Sequence, residues 1–343
     1  MARFLVTGGA GYVGSHTVLA LVERGDDVVV VDNLSQGHRG AVPPGVELIV
    51  EDIADTRRLN EIFAGWRFDG VVHFAARSLV GESMREPLMY LSENVSNTLR
   101  VAEAAIKSGC MRFVLSSTAA LFGMPDRIPI DEESKLHPLS PYGESKLMAE
   151  RGLDWAQKIH GLHWSALRYF NAAGADPQGR LGEDHDPETH LIPLAINAAL
   201  GLGPELTVFG NTYDTIDGTA VRDYVHVTDL ADAHCRILDR LAEGQGGCYN
   251  VGNGTGYSVR QVIDAVERVS GRKVPHRVGP PRPGDPPVLV ASNERLRRDT
   301  GWSPRYASLD DIVRTAWAWR SAHPHGFEDS TSPIGKGSLA QAV

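Results

Sequence analysis

Short apolar runs alternate with longer stretches of helical period through the first half of the chain. Phe4-Leu5-Val6, Val28–Val31, Val46–Val50, Gly70–Phe74 and Phe113–Ser117 read as strands, bounded by Gly, Asp and Ser. Helices are predicted between them from about Ser15 to Arg24 and from Asn94 to Lys107. Another starts at Pro141, with Ser140 as N-cap, and runs to His160. Strands without polar alternation, separated by helices, belong to a parallel sheet covered on both faces.

From Asn171 the pattern changes. Residues 172–188 are rich in Gly, Asp and Pro and read as a long loop. Helices are predicted over Ile192–Leu200, Asp229–Leu241, Ser258–Ser270 (capped by Ser258), Asn293–Thr300 and Leu309–Ala322, with a short strand at Leu206–Gly210. Trp302, Trp317 and Trp319 are expected to pack in the core or at a subunit interface. After Phe327 periodicity is lost, and a disordered tail is expected over 328–343. The expected architecture is α/β: a doubly wound parallel sheet of Rossmann type over 1–170, with 219–250 returning to it. A smaller α/β substrate lobe takes 171–218 and 251–327.

The 343 residues are enough for two such units, and 42% hydrophobic with 22% charged residues is ordinary for a globular chain. A net charge of -9 gives no general attraction to nucleic acid or to an anionic membrane. The three cysteines, Cys110, Cys235 and Cys248, have neither metal-ligand spacing nor a disulfide framework, which suggests a reducing cytoplasm. Met1–Val6 leave no room for a secretory apolar region, and no run is long enough to span a bilayer.

Candidate chemistry collects at the strand ends. Gly8, Gly11 and Gly14 form Gly-x-x-Gly-x-x-Gly between a strand and a helix, where a backbone can approach a pyrophosphate and the helix N-terminus can hold its charge. Asp32 ends the second strand, where a carboxylate accepts ribose hydroxyls and repels the extra phosphate of NADP, so NAD is expected. Asp52 follows the third strand as a candidate for the adenine amino group. Small residues after the fourth, Phe74-Ala75-Ala76, let a cofactor lie close. Ser116-Ser117-Thr118 closes the fifth. Tyr142 and Lys146 are four apart on one helix face, where an ammonium is expected to lower the phenol's pKa and make it a proton shuttle.

The glycine triplet, the Ser-Ser-Thr strand end and Tyr142-x-x-x-Lys146 together resemble the extended short-chain dehydrogenase/reductase family. Further matching stretches are Val31–Ser35, His73–Ala76, Val80–Ser83, Ser140–Lys146, Leu167–Asn171 and Asp217–Val227, so the resemblance covers nearly the whole chain to about Phe327. It implies an NAD enzyme of the branch that inverts C4 of a UDP-hexose, interconverting UDP-glucose and UDP-galactose. Tyr142 would take and return the O4 proton, Thr118 would share that hydrogen bond, and Lys146 would hold the nicotinamide ribose. It further implies cofactor contacts from Tyr12, Val13, Asn33, Leu34, Ser35, Ile53, Ser78, Asn94, Ser116, Tyr169 and Phe170. Substrate contacts are implied for Phe170, Asn171, His190, Leu191, Thr207, Val208, Phe209, Arg222, Tyr224, Arg282, Asp285 and Leu289. Arg222 and Arg282 would bind the diphosphate, and Asp285 the uridine ribose. A homodimer through helices 94–107 and 141–160 is implied as well.

Three departures carry information. Ser78 stands where some relatives have a phosphate-binding lysine, with Arg77 beside it as the candidate replacement. Leu289 falls where hexose-restricted relatives carry a tyrosine, which leaves room for an N-acetylhexosamine. Ala119 and Ala120 follow Thr118 where related 4,6-dehydratases carry an acidic pair, which argues against dehydration. The alternatives are a 4-epimerase of UDP-glucuronate or a UDP-pentose, or an NAD-dependent sugar-nucleotide oxidoreductase or dehydratase.

Overall fold

The structure is a computed structural model and describes residues 1–282 and 284–327. The tail expected to be disordered lies outside the described residues. The strands in chain order are β1 (Arg3–Thr7), β2 (Asp27–Asp32), β3 (Glu47–Val50), β4 (Gly70–His73), β5 (Arg112–Thr118), β6 (His163–Tyr169), β7 (Asn171–Ala173), β8 (Leu206–Phe209), β9 (Val221–His226), β10 (Gly247–Val251), β11 (Gly256–Ser258), β12 (His276–Gly279) and β13 (Val288–Leu289). Seven of them form one parallel sheet in the order β3-β2-β1-β4-β5-β6-β10.

Strand alternation explains why these runs are apolar throughout. Leu5, Val29, Val31, Val71, Phe113 and Leu115 point to one face and pack with Leu59, Phe63, Val101 and Leu153. Their neighbours Phe4, Val6, Val28, Val30, Val72 and Val114 point to the other and pack with Val18, Leu21, Leu230, Leu238 and Trp302. Each residue buries a side chain on one face or the other, so no polar alternation is needed.

The helix Pro141–His160 has its predicted limits: Ser140 Oγ accepts from Gly143 N, and Gly161 ends it at φ 74°. The first helix begins earlier than expected, at Tyr12, directly after the extended Gly11. The helical segment placed at Asn94 also starts earlier. It opens at Pro87–Tyr90, passes through a π turn at Leu91–Val95 and continues as Ser96–Ser108. Asn94 lies inside that wide turn, an irregularity frequent at functional sites.

Of the segment expected to return to the main sheet, β9 does not. It pairs with β7, β11 and β13 in a second sheet, whereas the helix Val227–Ala242 and β10 do join the main body. The apolar face of β9 packs against the second lobe, where Tyr224 is buried with Ile192, Ile196, Val208, Val262, Val266 and Ile312. In this lobe Ser258 and Gln261 form a reciprocal capping box on the helix Val259–Ser270. Trp302 and Trp319 are fully buried, and Trp317 is partly so.

Candidate active site

A cavity of about 850 Å³ runs along the carboxyl ends of the parallel strands and on to the second lobe. That is where ligands of doubly wound sheets bind. At one end lies the glycine turn. Gly8 has φ +72°, and a Cβ there would stand 2.5 Å from Ala75 N; a Cβ on Gly14 would stand 2.1 Å from Gly8 O. Strand end, turn and helix therefore meet backbone to backbone. The helix Tyr12–Glu23 has no side-chain cap and no acidic residue in its first turn, so its N-terminal N–H groups are left for a ligand.

Asp32 closes β2 beside this turn. Its Oδ2 accepts from Ala10 N at 2.9 Å and its Oδ1 from Leu34 N at 2.9 Å. The second bond holds Leu34 at φ +58°, a left-handed conformation rare outside glycine. Burial raises the Asp32 pKa, and its two backbone bonds oppose that. Asp52 accepts from Asn33 Nδ2 at 3.1 Å across the cavity rim. Bare turn, unclaimed helix N-terminus and acidic strand tip together fit a dinucleotide of the NAD type.

Gly8, Gly11, Tyr12, Val13, Gly14, Asp32, Asn33, Ser35, Asp52, Ile53, Phe74, Ala75, Ala76, Ser78, Asn94, Ser116, Tyr142, Lys146, Tyr169 and Phe170 all line the cavity; Leu34 does not. Two features were not foreseen. Arg77, the candidate replacement for a lysine at Ser78, is held by carboxylates: its Nε donates to Glu93 at 2.6 Å. Asn94 is fixed by a buried relay that starts at Thr7. Thr98 Oγ1 donates to Asn94 O, so it accepts from His73 Nε2–H, and His73 Nδ1 accepts from Thr7 Oγ1 at 2.7 Å. Burial keeps His73 neutral by pushing its pKa down to about 3.

The candidate chemical centre sits where β5, β6 and the helix Pro141–His160 meet. Lys146, only 2% exposed, donates from Nζ to Ser116 O at 2.9 Å. Ser116 Oγ and Tyr169 OH are 2.5 Å apart. Burial lowers the Lys146 pKa to about 8, partly opposed by Glu150 one helical turn on. Glu150 grips Arg168 through Nε at 3.0 Å and Nη2 at 2.6 Å and accepts from Ser117 Oγ at 2.6 Å. The expected lowering of the phenol by the amine is not found in the free chain. Burial pushes the Tyr142 pKa up, and a hydrogen bond with Thr118 opposes this only in part. The low dielectric of the site disfavours the phenolate, while Lys146 donates to the Ser116 carbonyl.

Toward the second lobe the cavity is lined by Thr118, Phe170, Asn171, His190, Arg222 and Leu289. Asn171 Nδ2 donates to Asp223 O at 2.8 Å. The helix Leu191–Leu200 again has neither a side-chain cap nor an acidic first turn. Arg222 is not free: Asp285, expected to meet a ribose, forms an ion pair with it. Arg282 stacks 4.0 Å over the ring of Phe209. Leu191, Thr207, Val208, Phe209, Tyr224, Arg282 and Asp285 do not line the cavity. Val208 and Tyr224 face the lobe's core because strand alternation turns them inward. Residues that the sequence reading missed include Tyr90, whose ring meets Tyr142 edge-on at 6.4 Å, and His185, which faces Tyr12 at 6.0 Å. Only the His-x-x-x-x-His spacing within 185–190 was a signal for the latter.

A glycine cradle at one end, buried Lys146 and Ser116 beside half-buried Tyr142 in the middle and an arginine-bearing lobe at the other fit an enzyme with a nucleotide cofactor and a second ligand. The family model described as NAD dependent epimerase/dehydratase family matches residues 4–252. The UDP-glucose 4-epimerase of Halalkalibacterium halodurans is 48% identical over 324 residues, which are 94% of this chain and 97% of that protein. A crystal structure of a UDP-glucose 4-epimerase superimposes with TM-score 0.93 at 44% identity, covering 95% of this chain and 99% of that one. The Brucella ovis UDP-glucose 4-epimerase, crystallised with NAD, does so with TM-score 0.90 at 43% identity, covering 93% and 98%. The chain belongs to the NAD-dependent epimerase/dehydratase family.

Proposed function

We propose that the chain is a UDP-glucose 4-epimerase that retains NAD through its cycle. What supports this is one continuous cavity with the glycine cradle at one end, Tyr142 beside Thr118 and Lys146 in its wall, and Arg222 at the other end. Bound NAD would supply the hydride acceptor and donor for C4, held by the glycine turn, Asp32 and Lys146. Tyr142 takes the proton from the sugar O4 and returns it after the hexose has turned within the pocket. Thr118 steadies O4. Lys146, anchored on Ser116 O, holds the cofactor ribose. Arg222 and the N–H groups opening the helix Leu191–Leu200 take the diphosphate. Ala119 and Ala120 bring no acid to the wall, so dehydration has no general acid there.

Leu289 lines the cavity in β13 opposite Arg222, and a leucine rather than a tyrosine there supports acceptance of UDP-N-acetylglucosamine as well as UDP-glucose. The active form is proposed to be a homodimer. Met148, Trp155 and Ile159 stand at helical spacing on Pro141–His160 with exposures of 41%, 64% and 68%, a stripe that a second copy would cover. The deciding experiment is turnover of UDP-galactose by purified protein under anaerobic conditions with no added NAD, together with a panel of UDP-sugars. Turnover supports a retained cofactor. Strict dependence on added NAD, with a changed product released, rejects it. Light scattering of a Trp155→Glu/Ile159→Lys variant tests the dimer, with a monomer expected.

A further inference from the structure

The loop between β7 and the helix Leu191–Leu200 brings four metal-ligating side chains together: Glu183, His185, Glu188 and His190. The Nδ1 atoms of both histidines face Glu183 Oε1, that of His185 at 3.2 Å and that of His190 in direct contact. Glu188 completes the ring, its oxygens 3.8 Å from His185 Nδ1 and 3.9 Å from His190 Nδ1. All four ligand atoms lie within 4.8 Å of one another. Four tetrahedral ligands of zinc, at about 2.0–2.2 Å from the ion, stand about 3.4 Å apart. With all four ligand atoms within 4.8 Å of one another, the set lies near that spacing.

The surroundings favour an ion. Glu183 is 8% exposed, and among the described residues neither it nor Glu188 is paired with lysine or arginine. A buried carboxylate needs a countercharge, and the groups facing this one are imidazoles, which are themselves metal ligands. The loop is also held from behind. Asp184 Oδ2 accepts from Phe327 N at 2.9 Å, and Asp184 O meets His38 Nε2 at 3.1 Å, so the cluster is built on a fixed backbone. Two imidazole nitrogens with two carboxylates are a borderline donor set. It suits zinc and its neighbours among the first-row ions better than magnesium or calcium, which take oxygen.

We infer that Glu183, His185, Glu188 and His190 form a site for one divalent first-row transition ion, zinc or cobalt, clasping the loop that walls the cavity beside Tyr12. The test uses untagged full-length protein freed of metal with a chelator and then desalted. Zinc is added in excess, the protein is desalted again and its metal content measured. Cobalt is titrated in parallel and its visible absorption followed. One equivalent of zinc retained per chain is expected, with the intense visible bands of four-coordinate cobalt. His185→Gln and Glu188→Gln should each weaken binding at least tenfold, in line with the usual loss of one ligand or its support. Circular dichroism identifies any variant that does not fold, and the other then carries the comparison. No retained metal in the unmodified chain, or equal retention in chain and variants, overturns the site. The readout is metal content alone, so it stands or falls apart from the epimerase reading.

Discussion

The parallel sheet and the second lobe build the walls of one cavity by opposite routes. In the sheet, four strands place a cavity-lining group within one connection of their own carboxyl ends: Gly8 after β1, Asp32 at the end of β2, Ala75 after β4, Thr118 at the end of β5. In the second lobe, β9 is the hub, and its partners come from three distant stretches: Asn171–Ala173, Gly256–Ser258 and Val288–Leu289. Arg222 meets its acid 63 residues away. Within β9, Asp223 ties the lobe together by accepting from Asn253 N at 2.7 Å, Gly254 N at 3.0 Å and Ala291 N at 3.1 Å. On the proposed function, chemistry is carried by short local motifs, while substrate selection is left to long-range pairs that are easier to alter one at a time.

If that division is right, changes in the sheet should act on turnover or on the whole fold, and changes in the lobe on substrate affinity. The largest effect is expected from Tyr142→Phe. Loss of a positioned general acid–base is worth about 10²–10⁴ in rate, read as kcat with NAD content unchanged. Near-normal turnover would break the assignment. Glu150→Ala should come next. It leaves Arg168 as an uncompensated buried charge, a cost of about 3–5 kcal/mol in chemical denaturation. Arg222→Ala should raise KM for the UDP-sugar at least tenfold with a smaller change in kcat, consistent with the loss of a charged hydrogen bond of about 1.5–3 kcal/mol. An equal fall in kcat would place the lobe in the chemistry and erase the contrast.

Acid stability sharpens the comparison further, because both regions bury neutral histidine. His73 in the sheet and His226 in the lobe are each pushed from 6.5 down to about 3, chiefly by burial. Below pH 6.5 the unfolded chain binds protons that the folded chain refuses, so stability falls as pH drops toward 3. The slope is about 1.4 kcal/mol per pH unit per histidine. Asp223, pushed up to about 6 by burial, contributes the opposite slope over part of that range. Replacing His73 with Asn should flatten the acid limb of a stability–pH curve by up to that single-group slope. The smallest effect is expected from Ser258→Ala, which removes the capping box of one lobe helix at a cost of about 1 kcal/mol, measured by thermal unfolding.

The sheet was legible for a physical reason. Strand period, glycine turn and Tyr142–Lys146 spacing are all set by residues within a few positions of each other, where backbone geometry decides neighbours. The same locality made Ser140 and Ser258 readable as helix starts. What sequence spacing misjudged were quantities that depend on surroundings. It expected Lys146 to lower the Tyr142 pKa, and burial raises it instead. Arg77, named from the family resemblance as the candidate replacement for a phosphate-binding lysine, is held by Glu93.

By itself the sequence determined a doubly wound parallel sheet, its dinucleotide turn and the residue pair at the chemical centre, because hydrophobic period and glycine spacing act through the adjacent backbone. Only the tertiary structure decided that β9 leaves the main sheet, that Asp285 pairs with Arg222, that Tyr224 faces the core and that Glu183, His185, Glu188 and His190 close into a ring. Those outcomes rest on contacts between distant segments, whose energies depend on burial and on which charges meet, and neither is written in local spacing.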